Sequence, residues 1–324
     1  MVNVLVLNEA RRLAKKYGYL ESTIIRFINN FGLAETEKIL LAYEKRPSPS
    51  IRTNTLKITT QELKNKLKEK GFTFTQSEWY RDGLIISNEP FSLGGTTEYL
   101  SGYYFIQSQA SWLPVLMLDP QPEETIFDMA AAPGGKATHI AQLMKNQGSL
   151  FCLDISRERI KALRSNLNRC GIKNVILKRM DAREVQTLDV KADRILLDAP
   201  CSGEGLMALD KTRRTQRNED DIFRMAELQK QLFESALKII KKNGTIVYST
   251  CSTAPEENEE IIDFMVNNYP IEIVETEFTS FNPGLTSTKD KTFSEELRKA
   301  IRLYPHLNNT EGFFSCKLQY KGES

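Results

Sequence analysis

Thr125-Ile-Phe-Asp128-Met-Ala130-Ala131-Ala132-Pro133-Gly134-Gly135-Lys136-Ala-Thr-His-Ile140 decides how this chain folds. An apolar run too short for a helix ends in an aspartate, crosses a loop of small residues and enters a second apolar stretch, as a buried strand feeding a helix does. The pattern repeats outward from it. Strands are predicted over 148–154, 175–178, 194–198, 245–249, 271–274 and 313–319, with helices between them. The helix over 156–170 carries Ile160, Leu163, Leu167 and Cys170 at helical spacing and stops at Gly171, which makes Cys170 core packing. The helix over 222–242 carries Met225, Leu228, Leu232, Ala236 and Ile239 and stops at Gly244. Such alternation implies a mostly parallel α/β sheet with helices on both faces, which binds ligands outside the carboxyl ends of its strands.

Upstream the pattern differs. Residues 1–46 read as a helical segment, with apolar stripes through Leu5, Leu13, Ile24 and Phe27, broken off at Pro47-Ser-Pro49-Ser. Residues 47–97 read as a small α+β unit: an extended piece at 51–58, a helix over 60–70 with Thr59 and Glu62 as a capping box, and strands at 72–75 and 84–86. Residues 98–324 then form the main domain.

Composition narrows the function classes. With 324 residues and 40% apolar content the chain supports well-packed cores. No run of eighteen apolar residues occurs and the start has no basic leader, so a cytoplasmic protein without membrane segments is expected. Five scattered cysteines fit free thiols in a reducing compartment, and their spacing fits no metal site. A net charge of +2 does not by itself announce a polyanion partner. Two local clusters do raise that case: Lys211-Thr-Arg213-Arg214-Thr-Gln-Arg217, and Lys45-Arg46 with Arg52 and Lys57.

The loop from Ala130 through Gly135 lets backbone approach a ligand at a helix start, although a tight turn would use the same two glycines. Asp154 ends the next strand, nineteen residues beyond Gly135, where a carboxylate accepts hydrogen bonds from ribose hydroxyls. Asp181, after the third strand, suits an adenine amino group, and Arg159 joins these candidate cofactor contacts. This spacing alone admits an NAD-dependent dehydrogenase, but the loop lacks the Gly-x-Gly-x-x-Gly form. Two further loops end strands in matching ways: Asp198-Ala-Pro200-Cys201-Ser-Gly and Tyr248-Ser-Thr250-Cys251-Ser. Both thiols are expected to face one crevice and to act as nucleophile or in acid/base chemistry. No dehydrogenase needs such a pair.

Together with Arg52-Thr-Asn54-Thr-Leu-Lys57, Pro255-Glu-Glu-Asn258-Glu259 and Gly312-Phe-Phe314, these motifs resemble the RNA cytosine-5 methyltransferases of the Nop2/Sun (Fmu) family. The chain has Glu311-Gly312 where that family commonly has Asp-Gly, and Ser108 where an acid is common. The resemblance implies a Rossmann-like, seven-stranded methyltransferase sheet with an antiparallel last hairpin, an RRM-like unit before it, and S-adenosyl-L-methionine as cofactor. By the same resemblance Ala130, Ala131, Ala132, Pro133, Gly134, Gly135, Lys136, Asp154, Arg159, Asp181 and Asp198 hold that cofactor.

Carbon 5 of cytosine is a poor nucleophile until a thiolate adds to carbon 6. Strand topology does not say which cysteine attacks. The family match makes Cys251 the nucleophile and Cys201 the residue that assists breakdown of the adduct, with Asp198 bonding the cytosine's polar edge and Lys136 contacting the base or orienting the thiol. A capping box at Thr253 and Glu256 would put Cys251 just before a helix N-terminus, with Glu256, Glu257 and Glu259 as solvated acids. Arg52, Asn54, Arg213, Arg214 and Arg217 are the candidate RNA contacts. The resemblance implies RNA as partner, tRNA ahead of rRNA on the short architecture, acted on by a monomer without a metal. A catalytically idle RNA-binding assembly factor is the rival of another class.

Overall fold

The structure, a computed structural model, describes residues 4–216 and 219–322. Its described residues fall into two compact units, each built from separate stretches of chain: Ser48–Ala199, Leu232–Tyr248 and Lys317–Ser324 form one, and Met1–Pro47, Pro200–Gln231 and Ser249–Cys316 the other. Strand and helix segments pass from one into the other, so neither is a simple segment of sequence.

The first unit holds two sheets. Strands β1 (Ser50–Thr53), β2 (Thr73–Gln76), β3 (Gly83–Asn88) and β4 (Tyr104–Ile106) form an antiparallel sheet in the order β2-β3-β1-β4. The expected helix, Thr60–Glu69, starts at the expected capping box: Thr59 Oγ1 accepts from Glu62 N, and Glu62 Oε2 accepts from Thr59 N at 3.0 Å. Its Leu63 and Leu67 close a core over Ile51, Leu84, Ile86 and Tyr104. The sequence-read span of 47–97 stops short of β4, whose Phe105 pairs with Arg52. Three residues flanked by turns carry too little periodicity to read as a strand.

In the second sheet, β5 (Thr125–Asp128), β6 (Ser149–Asp154), β7 (Val175–Arg179) and β8 (Ala192–Asp198) run parallel to one another, and β9 (Ile240–Thr250) lies beside β8. The order β9-β8-β5-β6-β7 has its switch point at β5: the chain leaves it on one side through β6 and returns on the other at β8. Ligand crevices of open α/β sheets lie at that point, outside the carboxyl ends. Asp128, Asp154 and Asp198 are the last residues of β5, β6 and β8. One expectation changes. The helix ends at Leu237, not Lys242, and Gly244 lies inside β9, because pairing begins early, with Ala192 N donating to Ile239 O at 2.8 Å.

The second unit begins with helices Val4–Tyr17, Glu21–Phe31 and Leu33–Tyr43, turned at Gly18 and Gly32. Leu13, Ile24, Phe27, Leu40 and Tyr43 form its core with Met207 and Ala208. Short strands β10 (Ile271–Ile273), β11 (Asn282–Pro283) and β12 (Ile301–Leu303) follow, and β12, where the sequence reading placed no strand, pairs antiparallel with the start of β13 (Phe313–Tyr320). Among the described residues no helix is long and apolar enough to cross a membrane.

Gly102 is a point where backbones touch. Its φ is +71°, and a Cβ there would sit 1.9 Å from the Arg169 carbonyl oxygen. Neither atom belongs to a flexible side chain. We expect Gly102→Ala to cost about 3 kcal/mol in urea unfolding, while Gly95→Ala, with nothing within 4 Å, stays near neutral. Equal losses in both variants would contradict this account of the contact.

Candidate active site

In the sheet unit, the loop after β5 hangs on its two neighbours: Met129 N donates to Leu196 O at 3.0 Å and Ala131 N to Leu153 O at 2.8 Å. Gly134 has φ +107° and packs within 2.9 Å of Leu163 for an added Cβ, so glycine serves the turn and the helix contact together. The helix Gly135–Leu143 then presents its first N-H groups at the crevice. Asp128 is buried, and neither of its carboxylate oxygens forms a hydrogen bond of good geometry. Burial first, then the charge of Asp198, pushes its carboxyl up to about 7. Lys136 Nζ lies 2.7 Å from Asp198 Oδ2. Asp154 accepts from Ser156 N at 2.9 Å and lies 3.2 Å from Arg159 Nη1, whose other terminal nitrogen donates to Ala132 O. Asp181 is ion-paired to Arg183 at 2.6 Å, which holds its carboxyl below the usual range.

These residues fit a cationic nucleoside such as S-adenosylmethionine. Small side chains leave the backbone approachable, Asp154 offers acceptors to a ribose, and a positive charge would complete the buried, under-bonded Asp128.

In the other unit, Cys201 and Cys251 are half-buried free thiols with their sulfurs 3.2 Å apart. The contact with Cys251, then burial and the charges of Cys251 and Glu257, hold the Cys201 thiol well above its ordinary value. Glu257 is the post between the two loops. Fully buried, it accepts from Ser202 N at 2.7 Å, from Ser202 Oγ at 2.6 Å and from Gln229 Nε2 at 3.2 Å. The hydroxyls of Ser202 and Ser252 lie 3.3 Å apart, and Asn258 joins Thr250 Oγ1 to the Ser252 carbonyl. Backbones mesh as well: Gly205 N donates to Cys251 O at 2.9 Å and Gly312 N to Gly205 O at 3.0 Å.

The expectation of solvated acids after Cys251 is therefore corrected. Glu257 and Glu259 are fully buried, the latter paired with Arg302, whose Nε lies 2.6 Å from Glu259 Oε1. Glu256 alone keeps partial exposure. The capping box is not formed either, because Thr253 Oγ1 donates to Glu204 at 2.7 Å and residues Pro255–Glu257 form a 3-10 turn instead. Alternation of acids with Pro255 and Asn258 was the only sequence sign of this network.

Three candidate RNA contacts are corrected by burial. Arg52 is 1% exposed and bonds Gln107, Gln142, Thr138 and the Gly135 carbonyl, bracing the helix after the small-residue loop. Asn54 donates to the carbonyls of Gly102 and Cys170, both at 2.8 Å. Arg214 is buried on Glu44 and the carbonyls of Tyr17 and Tyr43. Arg213 stays half-buried, donating to Ser202 O at 3.0 Å, and Arg217 lies outside the described residues.

Comparison with known proteins agrees with this chemistry. The family model described as 16S rRNA methyltransferase RsmB/F matches residues 115–319, and one described as the N-terminal domain of 16S rRNA methyltransferase RsmF matches residues 21–109. The human 28S rRNA (cytosine(4447)-C(5))-methyltransferase is 37% identical over 97% of this chain and 39% of its own length. A probable ribosomal RNA small subunit methyltransferase B of Bacillus subtilis is 32% identical over 96% of this chain and 68% of its own. The chain thus spans well under half of its human relative. Among solved structures, a methyltransferase homolog protein from Pyrococcus horikoshii superposes with a TM-score of 0.88 at 38% identity, covering 98% of this chain and 99% of that one. The NSun6 of the same organism, solved with SFG, gives 0.83 at 27%, covering 92% and 97%.

Two outcomes test these clusters. Glu257→Ala leaves the Ser202 N-H buried without its acceptor, and we expect roughly 2–3 kcal/mol lost in urea unfolding; a loss below roughly 0.5 kcal/mol would remove Glu257 from its place as the post. Asp128 binds its proton more tightly folded than unfolded, so its destabilising effect is absent below about pH 4, grows as pH rises toward 7, and is complete above that. Asp128→Asn cannot titrate. The variant should therefore gain on the parent between about pH 4 and pH 7, by up to about 4 kcal/mol for a shift of roughly three units. A stability difference that is flat with pH would reject the raised value.

Proposed function

The chain belongs to the RsmB/F methyltransferase family, and on that premise we propose that it transfers a methyl group from S-adenosylmethionine to carbon 5 of a cytosine in RNA. The observation that carries the reading is the pair of thiols held 3.2 Å apart from loops fifty residues distant in sequence. S-adenosylmethionine supplies an electrophilic methyl group at its sulfonium centre. Ala130–Gly135, Asp154 and Asp181 are the residues proposed to hold it, through approachable backbone and acceptors for a nucleoside.

Cys251 is the proposed nucleophile. Its thiolate forms a bond to carbon 6, which moves the ring electrons onto carbon 5 and makes that carbon able to accept a methyl group. Loss of the carbon 5 proton to a base then returns electrons to the ring and expels the Cys251 thiolate. Cys201, whose thiol the contact with Cys251 and burial hold well above its ordinary value, is the residue proposed to assist breakdown of the adduct. Asp198, with Lys136 at 2.7 Å, is placed in this reading on the cytosine's polar edge. The target base has to be unpaired or flipped out to be attacked at carbon 6.

The substrate class is rRNA in this proposal. Relatives matching over almost the whole chain carry rRNA names, for the large and the small ribosomal subunit alike, which outweighs the short architecture that favoured tRNA. Residues 47–97, extended by β4 to Ile106, are proposed as the RRM-like unit and the rest of 98–324 as the catalytic part.

Incubation with methyl-labelled S-adenosylmethionine and deproteinised rRNA or tRNA tests both levels. Label should enter rRNA cytosines with the parent protein, Cys251→Ala should neither methylate nor form an adduct, and Cys201→Ala should accumulate RNA-linked protein on a denaturing gel. The opposite gel pattern would exchange the two roles, and label in tRNA alone would return the substrate to that class.

A further inference from the structure

Two basic clusters far apart in sequence meet in the helical unit. Arg46 Nη2 donates to the carbonyl of Leu209, 163 residues along the chain, at 3.2 Å, and Lys211 Nζ lies 3.6 Å from Glu44. Beside this junction is a cleft of about 460 Å³ between the helix Leu33–Tyr43 and the turn at 305–310, lined in part by Lys38, Leu41, Lys45, Arg46, Pro305 and Leu307. Among the described residues no aspartate or glutamate lines it. The acids near it in sequence are already engaged: Glu35 holds Lys38 at 3.0 Å and His306, Glu37 holds Arg12, Glu44 holds Arg214 at 2.6 Å and Lys211, and buried Glu311 accepts from Thr310 Oγ1 at 2.8 Å. Lys45 and Arg46 are exposed and have no carboxylate partner among the described residues. Leu41 and Leu307 are 59% and 56% exposed on its walls, so apolar surface flanks the free positive charge.

We propose that this cleft binds a single-stranded segment of the substrate RNA, its phosphodiesters on Lys45 and Arg46 and its sugar or base faces against Leu41, Pro305 and Leu307. The proposal rests on the RNA methyltransferase reading and adds a surface that shares no lining residue with the thiol network. Unpaired cations beside apolar walls match a polymer that alternates phosphate charge with flat, weakly polar rings. An acidic amphipathic peptide is the competing occupant. Family membership favours the nucleic acid.

Fluorescence anisotropy with a labelled single-stranded oligoribonucleotide, read across a salt series, tests the cleft. In Lys45→Ala/Arg46→Ala we expect affinity to fall roughly tenfold at low salt. The slope of log affinity against log salt should drop by about 1.4, at roughly 0.7 for each phosphate contact on a single strand. Lys45→Arg/Arg46→Lys should keep parental affinity, and the alanine pair should raise KM for rRNA while kcat and Tm stay unchanged. Parental affinity and slope in the alanine pair overturn the proposal while leaving the family reading intact, since the parent protein still methylates RNA. Loss of binding to a labelled Glu/Leu peptide with RNA binding unchanged also overturns it, and makes the cleft a protein dock. A parent protein that neither binds nor methylates any RNA sinks the methyltransferase reading and this proposal together.

Discussion

A buried carboxylate holds the two thiol loops in place. Glu257 has given up hydration entirely, which is tolerable only because the Ser202 backbone, the Ser202 hydroxyl and the Gln229 amide all donate to it. Those donors all follow Cys201 in the chain, while Glu257 itself follows Cys251 by six residues, so one set of hydrogen bonds ties the two thiol loops together. With the ladder from Cys251 O through Gly205 to Gly312, it sets the distance between the sulfurs. Two thiols so close cannot both ionise cheaply. The contact with Cys251, together with burial, holds the Cys201 thiol well above its ordinary value.

In the sheet unit the same economy of burial applies to charge. Three aspartates end three neighbouring strands, and each meets a different environment: Asp128 is enclosed and under-bonded, Asp154 is tied to Ser156 and Arg159, and Asp198 has Lys136. One strand-end position thus yields three carboxylates in three different settings, and burial raises the Asp128 carboxyl. Arg52 braces the arrangement from the small sheet by bonding the first and second turns of the helix that follows the small-residue loop. A cation placed this way supports the loop's shape by being buried, and for that reason is spent.

The basic residues of this chain accordingly divide into two populations. Arg52, Arg214 and Arg302 lie inside, each bonded to carboxylates, amides, hydroxyls or carbonyls, and what they contribute is rigidity. Lys45 and Arg46 lie outside beside exposed leucines. With a net charge of +2 the whole-chain field is weak, so attraction for a polyanion has to come from such local surfaces.

Much of this was legible in the residues themselves. Strand and helix alternation, the capping box at Thr59 and Glu62, the glycine turns at Gly18 and Gly32, and the location of Cys201 and Cys251 at strand ends all follow from local periodicity and turn chemistry. These signals are short-range, and the sequence carries them directly. The burial of Arg52, Arg214, Glu257 and Glu259, the addition of Tyr104–Ile106 to the small sheet and the early start of β9 were decided only by the tertiary structure. A charged side chain reads as solvated unless its partner is known, and those partners, Gln142, Tyr43, Ser202 and Arg302, lie tens of residues or more away. Whether a charge stays in water depends on which distant groups pack around it, and that information exists only once the chain has closed on itself.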